Sequence, residues 1–159
     1  MTQDIDLAGT LTDSSHELRQ RVYYEDTDFS GVVYHARYLH FLERGRTDII
    51  RHLGVKQSAI HDFDDPAQAV AFVVRRMEID FRAPARMDDM LTIRTWPAEV
   101  QGARMTFVQS IECEGRMLIE ARVQVAVVNG AGRARRLPDT LRNDLLRMAA
   151  RDEDRTGRI

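Results

Sequence analysis

Hydrophobic and polar residues alternate from Leu18 to Asp26. Leu18, Gln20, Val22 and Tyr24 share one face, and Arg19, Arg21, Tyr23 and Glu25 the other. A period of two predicts a strand. From Tyr34 to Leu53 the period lengthens. Tyr38, Leu42, Gly45, Ile49 and Leu53 fall on one helical stripe, which Phe41 and Ile50 widen. Arg37, Glu43, Arg44, Arg51 and His52 lie opposite, so this segment predicts a long amphipathic helix. Gly45 inside the stripe costs about 1 kcal/mol against alanine, and close approach of a strand would account for it. Gly54 is a natural C-terminal stop.

Lys56 to Gln68 reads as a connection, with a short helix over Gln57 to His61 and a loop at Asp62-Phe63-Asp64-Asp65-Pro66. Four more strands follow. Ala69 to Arg82 sets Val73, Met77, Ile79 and Phe81 against Arg76, Glu78, Asp80 and Arg82, and Ala83-Pro84-Ala85 ends it. Met90 to Trp96 stops at Pro97. Gln101-Gly102 turns into Arg104 to Cys113, Glu114-Gly115 turns into Met117 to Val128, and Asn129-Gly130 closes the run. Pro138 then precedes a short helix from Asp139 to Ala150, with Asp139 as its cap. Strands with one apolar face and one long helix predict the α+β class. The expected architecture is a five-to-six-stranded antiparallel sheet wrapped around the helix.

Length and charge narrow this picture. The 159 residues suit one domain with a sizeable core. Met1 to Ser15 is polar, without an apolar run or basic start, and is expected to be a flexible tail rather than a signal peptide. Residues 16–150 then form the single domain, and 151–159 a charged flexible tail. The formal net charge of -2 gives no reason to expect nucleic acid or anionic membrane as a partner. No stretch approaches the roughly 20 apolar residues of a spanning helix. Cys113 is the only cysteine, which excludes an intrachain disulfide and fits a cytoplasmic protein. It reads as a small core residue. Lys56 is the only lysine, and this arginine bias weakens any single arginine as a signal. The histidines show neither H-x-x-x-H nor H-E-x-x-H spacing, so no metal is expected. No G-x-S-x-G elbow and no glycine-rich phosphate loop occur.

The remaining chemistry lies where the first strand gives way to the helix, at Asp26-Thr27-Asp28-Phe29-Ser30-Gly31. The first turn of a helix has unpaired N–H donors and a partial positive charge. Such donors hold a carbonyl oxygen as it becomes an oxyanion. Asp28 is placed to attack that carbonyl or to activate a water, while the N–H groups of Tyr34 and His35 polarise it. Gly31 permits positive φ or close backbone approach. The same residues also read as a plain helix cap and turn.

Tyr24-x-Asp26-Thr27-Asp28-x-x-Gly31-Val32-Val33-Tyr34-His35-x-x-Tyr38 resembles the signature of the 4-hydroxybenzoyl-CoA thioesterase family of hotdog-fold proteins. The continuation from Phe41 to Asp48, and Gln101-Gly102-Ala103-Arg104 in a hairpin, resemble its Tol-Pal-associated acyl-CoA thioesterases, the YbgC type. The similarity runs from about Leu18 to Val128. It implies a hotdog fold and hydrolysis of a short, medium-chain or aromatic acyl-CoA without a cofactor. It also implies a homodimer, joined sheet edge to sheet edge with the site at the boundary, or a tetramer of such dimers. By the same resemblance Asp28 is nucleophile or general base, and Gly31, Tyr34 and His35 complete the catalytic group. His35 steers a water or the leaving thiolate, or packs at the subunit boundary. Val33 and Tyr38 are expected against the acyl group. Arg133, Arg135 and Arg136, or the strand residues Arg76, Arg82 and Arg104, are candidates for the CoA phosphates. Glu43 faces the neighbouring pocket or bonds Arg46 or Thr47. Acyl carrier protein or envelope-complex partners are compatible with the resemblance. The rival readings are a hotdog hydratase, which lacks its proline-rich His loop here, and a non-catalytic acyl-thioester-binding or scaffold protein.

Overall fold

The strand-period stretches pair into one sheet, and the helix-period stretch lies across it. A computed structural model describes residues 7–54 and 69–156, with side chains described through Arg151. The strands are β1 (Thr10–Leu11), β2 (His16–Arg21), β3 (Ala71–Phe81), β4 (Met90–Gln101), β5 (Arg104–Cys113) and β6 (Arg116–Val128). The helices are α1 (Arg37–His52) and α2 (Asp139–Thr156). All pairings are antiparallel, and the sheet order is β1-β2-β4-β5-β6-β3. The expected short helix and loop between Gln57 and Pro66 lie outside the described residues.

Helix α1 buries Tyr38, Phe41, Leu42, Ile49 and Ile50 against the inner sheet face, where Leu91, Ile93, Phe107, Ile111, Ile119 and Val123 face it. At Gly45 the helix meets the sheet. A Cβ there would lie 2.6 Å from Thr95 Oγ1 and 3.1 Å from Gln109 Nε2. Gln109 is buried and pins the two layers together. Its Nε2 donates to the Leu42 carbonyl (2.8 Å) and to Thr95 Oγ1 (2.9 Å), and its Oε1 accepts from Arg46 (3.0 Å). A buried amide satisfied on both sides fixes the depth of the helix over the sheet.

Four local readings need correction. β4 does not stop at Pro97 but continues to Gln101, because the ladder shifts register between Pro97 and Glu99. A bulge is one of the places where a residue without an N–H fits into a strand. β3 shifts register between Val74 and Arg76. The extra residue reverses the alternation, so Phe72 and Val74, rather than Val73, share the inner face with Met77, Ile79 and Phe81. Residues 10–15 are not part of a loose tail: Thr10–Leu11 pairs with β2, and Thr12 and Ser15 close a turn through Oγ1 and backbone. Residues 151–156 continue α2 instead of starting a charged tail. That helix packs Leu141, Leu145 and Met148 into the core. No described helix is long and apolar enough to cross a membrane.

Candidate active site

The junction between β2 and α1 is a hairpin held by its own backbone. After β2, Val22 exchanges bonds with the 88–89 turn: its N–H donates to the Asp89 carbonyl and its carbonyl accepts from Asp88 (both 2.9 Å). Residues Tyr24–Asp26 then make one 3-10 turn. Thr27 bridges Val33, Asp28 N–H donates to the Val32 carbonyl (2.9 Å), and Gly31 N–H returns to the Asp28 carbonyl (3.1 Å). Gly31 sits at φ +84° with open space around a Cβ, so positive φ and not close approach is the reason for glycine. The other side of the hairpin rests on the turn after β3. Val33 N–H donates to the Ala85 carbonyl, and Ala85 N–H donates to the Tyr38 hydroxyl (both 2.9 Å).

The two acids of the loop have different surroundings. Asp26 is buried, at 3% exposure. It accepts from Tyr23 N–H (2.9 Å) and from Arg37 Nε (2.6 Å), and its carbonyl accepts the Tyr34 N–H (2.9 Å). Every polar atom of Asp26 that can brace the loop does so. Asp28 is exposed on the hairpin. Its Oδ1 accepts both the N–H (2.8 Å) and the hydroxyl of Ser30. The Ser30 hydroxyl, then the Ser30 N–H, and more weakly the charge of His35 hold its carboxyl below the ordinary carboxylate range. From the sequence Ser30 reads only as part of a cap and turn; its contact with Asp28 comes from the folded hairpin.

The donors also differ from expectation. α1 begins at Arg37, three residues after the expected start, and the Tyr34 N–H is occupied by Asp26. The N–H groups of His35 and Ala36 have no acceptor among the described residues. Of the two expected donors, Tyr34 is therefore taken up within the loop, and only His35 keeps an N–H without an acceptor among the described residues. The His35 ring tilts against Tyr34 (centroids 4.6 Å apart) and meets Phe81 edge-on (6.5 Å). Phe29 at the hairpin tip is fully exposed, Tyr24 largely so, and Phe81 about half exposed.

Other expected residues lie elsewhere. Val33 and Tyr38 are buried beneath the hairpin, where burial pushes the Tyr38 hydroxyl pKa up. Arg76 and Arg82 pair with Glu78 (2.8 Å) and Glu120 (2.5 Å) on the outer sheet face. The segment with Arg133, Arg135 and Arg136 follows β6, whose Val128 pairs with Ala71 at the start of β3. Phe81, which touches His35, ends that strand, so these arginines are roughly 30 Å along β3 from their own Asp28. Glu43 accepts the Thr47 hydroxyl (3.2 Å), and no ion pair joins it to Arg46 among the described contacts. Behind β3, α1 leaves a cleft of about 120 Å³, with buried Ile50 and Phe107 in its wall and Val74 and Glu43 exposed at its opening.

Known proteins resemble this chain in sequence and fold. The thioesterase superfamily model matches residues 30–120, more than half of the chain. Acyl-CoA thioester hydrolase YbgC of Escherichia coli O6:H1 is 48% identical over 110 residues, 69% of this chain and 78% of that protein. Acyl-CoA thioesterase YbgC of Haemophilus influenzae is 44% identical over 119 residues, 75% of this chain and 85% of that protein. The crystal structure of a probable thioesterase from Bartonella henselae matches with a TM-score of 0.74 at 46% identity, covering 78% of this chain and 99% of that one. By sequence and by its hotdog sheet and helix, the chain belongs to the thioesterase superfamily, as an enzyme related to the YbgC hydrolases.

Proposed function

We propose that the protein hydrolyses acyl-CoA to the free acid and CoA, with Asp28 as nucleophile and the His35 N–H as oxyanion donor. The observation that carries this is an exposed carboxylate on the hairpin that leads into α1, where the His35 N–H has no acceptor among the described residues. The direction of the Asp28 pKa supports attack over base action. A carboxyl held below its ordinary range is a poor proton acceptor near neutral pH, yet fully available as an anion. Attack of Oδ2 on the thioester carbon forms a C–O bond and an oxyanion. Collapse breaks the C–S bond and releases CoA thiolate, which takes a proton from water. Water then cleaves the resulting acyl-aspartyl anhydride. Single-turnover hydrolysis in heavy-oxygen water tests the route, because anhydride cleavage at the aspartyl carbon leaves label in Asp28.

The site is completed in a homodimer through the free edge of β3. That strand pairs only with β6 among the described residues, and Val73, Val74 and Phe81 on it are exposed. Antiparallel pairing about Met77 would set Arg76 against the partner's Glu78, opposite charges directly across. The start of β3, with the nearby Arg133 to Arg136 segment, then lies beside the partner's Asp28 hairpin. This supports those arginines as holders of the CoA phosphates.

Thiol release from acyl-CoA substrates by Asp28→Asn and Asp26→Asn tests the assignment. Asp28→Asn keeps the fold and loses about 10²–10⁴-fold in kcat, the usual range for a positioned acid-base or attacking group. Asp26→Asn is expected to lose thermal stability in step with whatever activity it loses. Equal kcat losses with both variants fully folded would overturn the assignment.

A further inference from the structure

We infer that the outer face of the sheet carries a second binding site, a trough over β5 that takes a linear aliphatic polyamine. It lies on the face turned away from α1 and is independent of the hydrolysis at Asp28.

Alternation and register build the trough. Gln109 and Ile111 point to the helix side, so Val108 and Ser110 stand on the outer face of β5. Longer side chains flank both on the neighbouring strands. One row runs Trp96, Val108, Arg122 and Glu78 from β4 to β3. The next runs Arg94, Ser110, Glu120 and Asp80. Short residues between two walls of long ones leave a depression of about 460 Å³. Sites for small organic molecules have volumes of that order.

The floor holds a polar group that the chain itself does not satisfy. Ser110 is buried, at 2% exposure, and its hydroxyl has no hydrogen-bond partner among the described residues. Its charged neighbours are engaged elsewhere. Arg94 is held by Glu17 (2.9 Å) and Glu112 (3.2 Å), and Glu120 by Arg82 (2.5 Å). A buried hydroxyl without a partner is costly, and a ligand N–H placed over it removes that cost.

Charge selects the ligand. Four carboxylates line the trough, those of Glu78, Asp80, Glu112 and Glu120, against the two guanidiniums of Arg94 and Arg122. Both arginines are already paired, Arg122 with Glu99 outside the trough (3.1 Å). Asp80 faces Glu120 across the ladder and has no ion pair of its own among the described residues. Acids directly opposite each other repel, so the β3 wall favours a cation. At the β4 wall the half-buried Trp96 indole is a second cation acceptor, through its ring. Between the walls Val108 is apolar. Cationic ends, an apolar stem and an N–H for Ser110 are together the pattern of a polyamine. Asp80 and Trp96 stand three strand spacings apart, about 14 Å. A tetraamine or triamine reaches across that span, and a short diamine does not.

Trp96 is the only tryptophan, so its fluorescence reports on the site directly. The full-length protein is titrated with spermine (a tetraamine), spermidine (a triamine) and putrescine (a diamine) at constant ionic strength. A saturable change is expected, with one ligand per chain and affinity falling in that order. Asp80→Asn, at an exposed position, should weaken spermine binding about tenfold, the scale of one charge-assisted contact. Ser110→Ala should weaken it severalfold and leave the thermal midpoint of the free protein unchanged or higher, because the unpaired hydroxyl is gone. A hydroxyl with a purely structural role would lower that midpoint and leave binding alone. No saturable response, equal affinity for spermine and putrescine, or binding that either substitution leaves untouched overturns the site.

Discussion

Ser30 decides the electrostatics of Asp28, and it does so with two donors on one oxygen. Removing the hydroxyl in Ser30→Ala leaves the N–H bond but takes away the largest cause of the lowered pKa. The sign follows directly. Attack needs the carboxylate, so activity is present above the Asp28 pKa and is lost as pH falls through it. Ser30→Ala raises that pKa, and the acid limb of kcat/KM should move to higher pH while the neutral plateau changes little. An unmoved limb would mean that another group sets it. At this scale the sequence named the acidic loop and singled out Asp28 in it, but not the contacts that set its two acids apart. Asp26 and Asp28 look alike in a string of letters. What separates them is Arg37, Tyr23 and the Tyr34 N–H closing around Asp26, and those contacts exist only once the hairpin is folded.

Among the elements, α1 shows most clearly what periodicity can and cannot say. The stripe from Tyr38 to Ile49 is legible because burial on one face repeats with the helical turn. The first residue of the helix is not legible, because Asp26 takes the Tyr34 N–H and delays the start. The bulges at Val74/Arg76 and Pro97/Glu99 were equally hidden, since alternation resumes on both sides of an inserted residue. At Gly45 close approach is expected from a strand backbone, and it comes instead from the side chains of Thr95, Ile93 and Gln109. Gly45→Ala gains helix propensity of about 1 kcal/mol, but its Cβ meets Thr95 Oγ1 at 2.6 Å in a fully buried layer. Overpacking of that kind costs about 1–3 kcal/mol. The net effect should be a lower thermal midpoint, by a few degrees. A midpoint equal to or above wild type would show that the helix rises off the sheet without penalty.

For the whole molecule, the nucleotide end of the substrate gives a separate test of the proposed dimer. Arg133 and Arg136 are exposed, whereas Arg135 donates to the Ala69 carbonyl (3.3 Å) and so also holds structure. Changing Arg133 and Arg136 to Ala should raise KM for acyl-CoA with kcat nearly constant, the form taken by lost uniform binding. An acyl-pantetheine thioester has no nucleotide and should be processed normally. An equal KM penalty on both substrates would exclude these arginines from the nucleotide. Fold class and the meander were open to reading at this scale, because alternation and turns are local. The distance between the arginines and their own Asp28 was not, since only the pairing of Val128 with Ala71 puts them at opposite ends of β3.

The two borders of the sheet are unequal. One is β1, two residues long, and the other is β3, with eleven. A two-residue border offers almost no backbone for another chain to copy, whereas an eleven-residue one invites addition. In the proposed dimer the two long borders would cover each other, leaving at each far side β1 and the part of β2 beyond its two-residue pairing. The break in β3 after Val74 adds a key to the lock. A slid partner would set the irregular segment against regular backbone and turn apolar side chains to the wrong face. In the proposed dimer the long free edge of β3 would be used up by that single addition, and a β3 edge left unpaired would be the place where further chains could add.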